Sequence, residues 1–282
     1  MDPTAAQIIK KMDEIATPAI QGFLPTLIDK MTGFKLSQWS AQGKQAYEKE
    51  MIEWEKEKNL IMAFSQVETT RKVNNFLSIA EKASKSVDPS KEFSVKDDND
   101  VFWGLLEHSK TISNDEVQEI IAKIIAGEYN APGTYSMSTL QILKSLGKKD
   151  LEKFSFFASL YLTGHGFLRD FFDIKEKTTE LRSKLGINYA DFLELQNLGL
   201  IQSGGYVISV TLKKDFVFAL NYCSENLIFK ATKDFEKWNF PECYELTSAG
   251  KEIIQHLKIT KSNAFKEYLK EFFKEKGFEP QN

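Results

Sequence analysis

The stretch SNDEVQEIIAKIIAGEYNAPGTYSMSTLQILKSLGKKD, residues 113–150, leaves a chain little freedom. Ser113 with Glu116 three residues later has the spacing of a capping box, and Asp115 adds negative charge to the first turn. Val117, Ile120, Ile121, Ile124 and Ile125 then recur at helical spacing and form one apolar stripe. Gly127 stands where a C-cap glycine belongs, and Pro132-Gly133 marks a turn. Ser136 or Ser138 can open a second helix with the stripe Leu140, Ile142, Leu143 and Leu146, which Gly147 ends. The stretch therefore predicts two short helices joined at a polar corner.

Helical patterning extends on both sides. Residues 4–16 give a short helix, and Pro18 to Gly33 reads as broken helix or an amphipathic surface segment. Its span 15–34 could cap the core or touch a membrane surface. From Ser40 to Ala83 a proline-free run predicts a long helix, with Tyr47, Met51, Trp54, Ile61, Phe64 and Val67 on one stripe. A polar connection over 86–100 follows, and Asp98 or Asp100 can cap a helix carrying Val101, Phe102, Leu105 and Leu106. Another apolar helix runs from Asp150 to Leu162.

The last third changes character. "INYADFLELQNLGLIQSGGYVISVTL" reads as helix then strand, "FVFALNYC" and "NLIFKATK" are β-rich, and "CYELTSAGKEIIQHL" reads as strand then a helix opened by Thr247 or Ser248. That order suggests a winged helix. Phe265, Tyr268, Leu269, Phe272 and Phe273 define a terminal amphipathic helix expected to pack back on the body, with lipid contact as its second reading. The expected fold is mainly α: a helical body with a small C-terminal winged-helix-like α+β module. The divisions are an N-terminal segment 1–38, a helical domain 39–165, the winged-helix-like module 166–258 and the amphipathic helix 259–282.

Charge bears on the winged helix directly. The chain has 37 basic and 40 acidic residues, a net charge of -3, and its arginines are Arg71, Arg169 and Arg182. The helix that would enter a groove carries Asp191 and Glu194 and no Lys or Arg. Phosphate contacts need positive charge there, so nucleic acid is not expected as a partner and the module reads as a protein-interaction piece.

Two cysteines, Cys223 and Cys243, and three histidines, His108, His165 and His256, fall in no zinc-binding spacing. No metal or cofactor is expected, and the thiols read as those of a reduced cytoplasmic protein. No signal peptide and no apolar run of spanning length is seen in the sequence given. "VKDDNDVF" lacks the glycine and distal glutamate of a calcium loop, and "QSGGYV" lacks the ending of a phosphate loop.

The polar groups of the hairpin are the remaining candidates. Glu128 sits near a helix C-terminus, where a carboxylate is disfavoured by the dipole and needs compensation from a Lys, from N–H groups opening the next helix, or from Arg71. With Ser136 and Thr139 it could line a polar pocket, or the same atoms could lock the loop. Hydroxyls are not nucleophiles without a base, so a hydrolase reading requires His165, set in a Gly-His-Gly turn, to approach Glu128 and Ser136.

The hairpin also resembles a known bacterial family, domain of unknown function 2806, which is itself similar to the abortive-infection alpha (Abi-alpha) proteins. The matching positions are Gln118, Ala122, Ile125, Ala126, Gly127, Glu128, Pro132, Gly133, Ser136, Thr139, Leu140, Leu143, Lys144 and Leu146, with Arg71 and Asn75 upstream in "RKVNNFLSIAEKAS". Ile121 stands where the family usually has Trp. The resemblance covers about residues 68–160. It implies a helical body, a link to anti-phage defence and no known reaction. Arg71, Asn75, Gln118, Glu128, Gly133, Ser136 and Thr139 are the candidate binding residues it singles out, and no catalytic residue is assigned.

The expected function is a non-catalytic interaction or regulatory protein, with a protein partner or a second copy of itself. Two alternatives are a membrane-directed toxic effector, acting through the 15–34 and 262–278 segments, and the hydrolase.

Overall fold

The computed structural model describes residues 60–281, apart from 89, 92–94, 97 and 173–175. The expectations for the N-terminal segment, the amphipathic 15–34 stretch and the first part of the long helix lie outside the described residues. The chain divides into two compact units, one up to Leu140 and one from Gln141.

In the first unit, helices α1 (Leu60–Ser84), α2 (Asp100–Ser109) and α3 (Asp115–Asn130) pack on one another. The predicted stripe Val117, Ile120, Ile121, Ile124 and Ile125 is buried throughout, against a core that includes Val73, Phe76, Leu77, Phe102, Leu105 and Leu106. Ile121 is wholly buried, so the position where the family carries Trp is a core position here. The caps differ from those expected by one residue. Asn99 caps α2 by accepting from Phe102 N at 3.0 Å, in place of Asp98 or Asp100. Asn114 caps α3 by accepting from Val117 N at 3.1 Å, which leaves the Ser113 hydroxyl for another use. The next helix, α4 (Met137–Ser145), contains the division between the units.

The second unit corrects the mainly α expectation. After α5 (Lys148–Ala158) come β1 (Leu162–Thr163), β2 (Phe167–Leu168), α6 (Arg169–Phe172), α7 (Glu176–Leu185) and α8 (Tyr189–Asn197). Strands β3 (Ile201–Tyr206), β4 (Ser209–Leu212), β5 (Val217–Tyr222), β6 (Glu225–Ala231), β7 (Phe235–Asn239) and β8 (Cys243–Leu246) follow. The described chain ends with α9 (Ser248–Ile254), α10 (Asn263–Glu275) and β9 (Phe278–Pro280). Three antiparallel sheets result, in the orders β1-β5-β6-β9, β2-β8-β3 and β4-β7. This is a mixed α/β protein.

The winged-helix expectation fails at the same place. Strand β3 does pair with β8, but the four strands between them leave that sheet for two others. The missed strands have physical reasons. Strands of two residues, as in β1 and β2, are too short to show alternation, and β9 ends in Pro280. The segment between β1 and β2 was legible only as the turn that it is. Gly164 and Gly166 hold φ of +81° and +102°, and a Cβ on Gly166 would lie 2.4 Å from the Tyr244 carbonyl oxygen.

Aromatic rings fill the second unit. Phe192 on α8 is wholly buried, 4.3 Å from Phe172 and 5.2 Å from Tyr244 between centroids. Phe273 and Phe278 meet Phe218, and Trp238 meets Phe278 at 4.6 Å. The terminal helix α10 turns Phe265, Tyr268, Leu269, Phe272 and Phe273 into this core, as its spacing predicted.

Candidate functional site

Two groups of polar side chains hold the ends of α3. At its start, the Gln118 amide nitrogen donates to Ile112 O at 2.8 Å. Its oxygen accepts from Ser78 Oγ at 2.7 Å and from Lys82 Nζ at 2.8 Å. Lys82 also pairs with Asp115 at 2.5 Å. One turn and more upstream on α1, Asn75 Nδ2 donates to Lys110 O at 3.0 Å and to Ser113 Oγ at 3.1 Å. The buried Asn75 and Gln118 thus attach α1 to the loop between α2 and α3.

At the other end stands Glu128, wholly buried. Its Oε1 accepts from Gly133 N at 2.5 Å and from Asn99 Nδ2 at 2.8 Å, and its Oε2 accepts from Tyr135 N at 3.1 Å. The compensation predicted for a carboxylate at this helix end is therefore present, with donors in the loop itself and at the start of α2. Arg71 is exposed, and Asn99 fills the role considered for it. Gly133 adopts φ +86°, which lets the loop turn its N–H back to the carboxylate. Gly127 is not the C-cap. Ala131 is, through its N–H to Gly127 O. Gly127 instead admits Tyr135, whose hydroxyl would lie 2.6 Å from an added Cβ.

Ser136 caps α4 by accepting from Thr139 N at 3.3 Å. Its hydroxyl also lies 2.8 Å from Ser138 Oγ and 3.1 Å from the wholly buried Thr139 Oγ1. Among the predicted residues, Glu128 and Gly133 are bonded directly, Ser136 and Thr139 are bonded to each other, and Asn75 and Gln118 serve the opposite end of α3. Sequence reasoning missed Asn99, Ser78, Lys82 and Asn130. The Asn130 side chain accepts from Asp88 N at 2.8 Å and donates to Ser86 O at 2.9 Å. Asn99 had a signal, a strong capping residue just before an apolar run, but it was masked by flanking Asp98 and Asp100.

The remaining titratable candidates belong to the second unit. The His165 ring stacks on Phe240 at 4.6 Å, and burial pushes its pKa down against the opposing field of Glu245. Glu245 accepts from Tyr161 Oη and from Leu246 N, both at 2.9 Å. Burial pushes the Cys243 thiol up to about 12 and also raises Cys223; both cysteines are free. The thiolate is the nucleophilic form, and burial disfavours it at both cysteines. Among the described residues, no group of three or more His, Cys, Asp or Glu side chains is placed to hold a metal ion. No described helix is long and apolar enough to cross a membrane.

The buried Glu128 corner and the α1–α3 clasp lie in a region that a family profile also covers. The profile described as "Protein of unknown function (DUF2806)" matches residues 63–270. The chain belongs to this family. Membership takes in the aromatic second unit as well as the hairpin, a wider span than the resemblance at residues 68–160. No curated protein and no solved structure matched the chain.

Proposed function

We propose that this member of the family is an interaction protein, acting through the surfaces its two units present, in the setting of bacterial anti-phage defence. One observation carries the reading. The buried polar side chains of α1 and the hairpin bond to backbone groups and to each other, so that Glu128 accepts from two loop N–H groups and an amide while Gln118 and Asn75 donate to loop carbonyls. Groups used this way fix a loop; a reactive carboxylate keeps a position open for substrate. The defence setting comes from the sequence resemblance to the abortive-infection alpha proteins described above. Burial of the apolar face of α10 supports an interaction role over a lipid-directed one, because lipid contact through that face requires the second unit to open.

The test is the efficiency of phage plating on cells expressing the wild-type chain, S136A or H165A. The expected result is restriction by the wild type, retained by both variants. Loss of restriction in both, with melting curves unchanged, would favour the hydrolase. No restriction of any phage by the wild type would remove the defence setting.

A further inference from the structure

Antiparallel sheets leave edges, and an edge strand with free N–H and C=O groups pairs with another chain unless something prevents it. Most edges among the described strands are protected. Strands β1 and β2 have two residues each, and β9 ends in Pro280. Strand β3 carries Gly204 and Gly205 and a register shift against β8. Strand β7 exposes Glu236 and Lys237 and shifts register between the pairs Val210–Trp238 and Leu212–Phe235.

Strand β4 shares the β7 register shift, which falls between Val210 and Leu212, but has none of the other devices. From Val207 to Leu212 the sequence VISVTL contains no charge, no Pro and no Gly. Val207 is 50% exposed, Ile208 43% and Val210 37%. Strand β4 pairs with β7 alone among the described strands. The Phe240 N–H donates to Ile208 O at 2.7 Å, so Ile208 and Val210 turn their backbone groups toward β7. By alternation, Ser209 and Thr211 turn theirs to the open side.

We propose that this edge is a homodimer interface, in which β4 pairs antiparallel with β4 of a second copy about a two-fold axis at Val210. The sequence of the edge suits a second copy of itself. With Val210 opposite Val210, Ser209 faces Thr211 of the second copy, and the two exchange both backbone bonds, which the symmetry repeats. Ile208 faces Leu212, so one side of the joined sheet is apolar against apolar and the other hydroxyl against hydroxyl. Lys213 comes opposite Val207, so no lysine meets a lysine across the strands. Pairing also ends with β4: the outer edges of the joined four-stranded sheet are the charged, register-shifted β7 strands, which stop further growth. This names a partner for the interaction reading and rests on that reading only in supposing that association matters to the protein.

Sedimentation equilibrium of the full chain tests it, using wild type, V210K, V210E and an equimolar mixture of the two variants. The expected result is a concentration-dependent wild-type dimer, weakened about tenfold or more in each variant by like charges facing across the axis. The mixture should dimerise again, because Lys then faces Glu. That recovery separates a lost interface from a damaged fold. A wild-type dimer that both variants keep would overturn the edge assignment while leaving the interaction reading intact. Loss in both variants without recovery on mixing would overturn the two-fold register. A wild type that stays monomeric at all concentrations would overturn the proposal.

Discussion

The two units differ in what dominates their interiors, although side chains bond to backbone groups in both. In the first, side-chain amides and one carboxylate bond to backbone atoms at both ends of α3. In the second, rings carry the load: Phe192 alone lies within 6.1 Å of Phe157, Phe167, Phe172, Tyr189 and Tyr244, centroid to centroid. Hydrogen bonds are directional and specific in donor and acceptor, whereas apolar packing responds to volume. The first unit should therefore be sensitive to chemistry at constant shape, and the second to shape at constant chemistry.

The largest effect expected is F192A, which empties the centre of the ring cluster and should destabilise the second unit by about 4 kcal/mol. F192L, which keeps most of the volume, should cost about 1 kcal/mol, both read by urea denaturation. The matching pair in the first unit is E128A and E128Q. E128A leaves three donors without their acceptor, one of them on the buried Tyr135, at about 3 kcal/mol, and E128Q, though isosteric, turns an NH2 group toward an N–H donor at about 2 kcal/mol. If E128Q proves as mild as F192L, the contrast between the units is broken. Q118L is smaller, about 1 kcal/mol, because Lys82 keeps Asp115 when the amide is gone. It should show as faster amide exchange over residues 110–118 rather than as global unfolding.

The smallest effect is a pH dependence in the second unit. His165 is held below its unperturbed value of about 6.5 by burial against Phe240. The unfolded chain therefore binds the proton first. Stability from this group is complete above about pH 6.5 and is lost as pH falls from there through the lowered folded value. H165Q should flatten the melting temperature over that window, and an unchanged slope would show that His165 has the same pKa in the folded and unfolded chain.

The two kinds of order also differed in how far sequence revealed them. The stripe of α3 and the five apolar positions of α10 were legible because helical periodicity repeats over many residues. The presence of a compensating set for Glu128 was legible from the dipole, but not that Asn99 would supply part of it, since the two lie far apart in sequence. The sheets were the main loss. Strands β5 and β6 were visible as β-rich segments, yet their partners β1 and β9 are short and distant, and the order of a sheet is written in no local pattern. The winged-helix expectation came from reading helix, strands and helix in sequence without knowing that β4 to β7 would desert the first sheet.

Asn99 has one further consequence. A single side chain caps α2 with its oxygen and holds Glu128 with its nitrogen. A rotation that releases either end disturbs the other, so the opening of the α2 helix and the turn at Gly133 are thermodynamically linked. Deuterium uptake at the Phe102 and Gly133 amides should rise together whenever either is perturbed, giving the first unit a built-in reporter of whether its corner is closed.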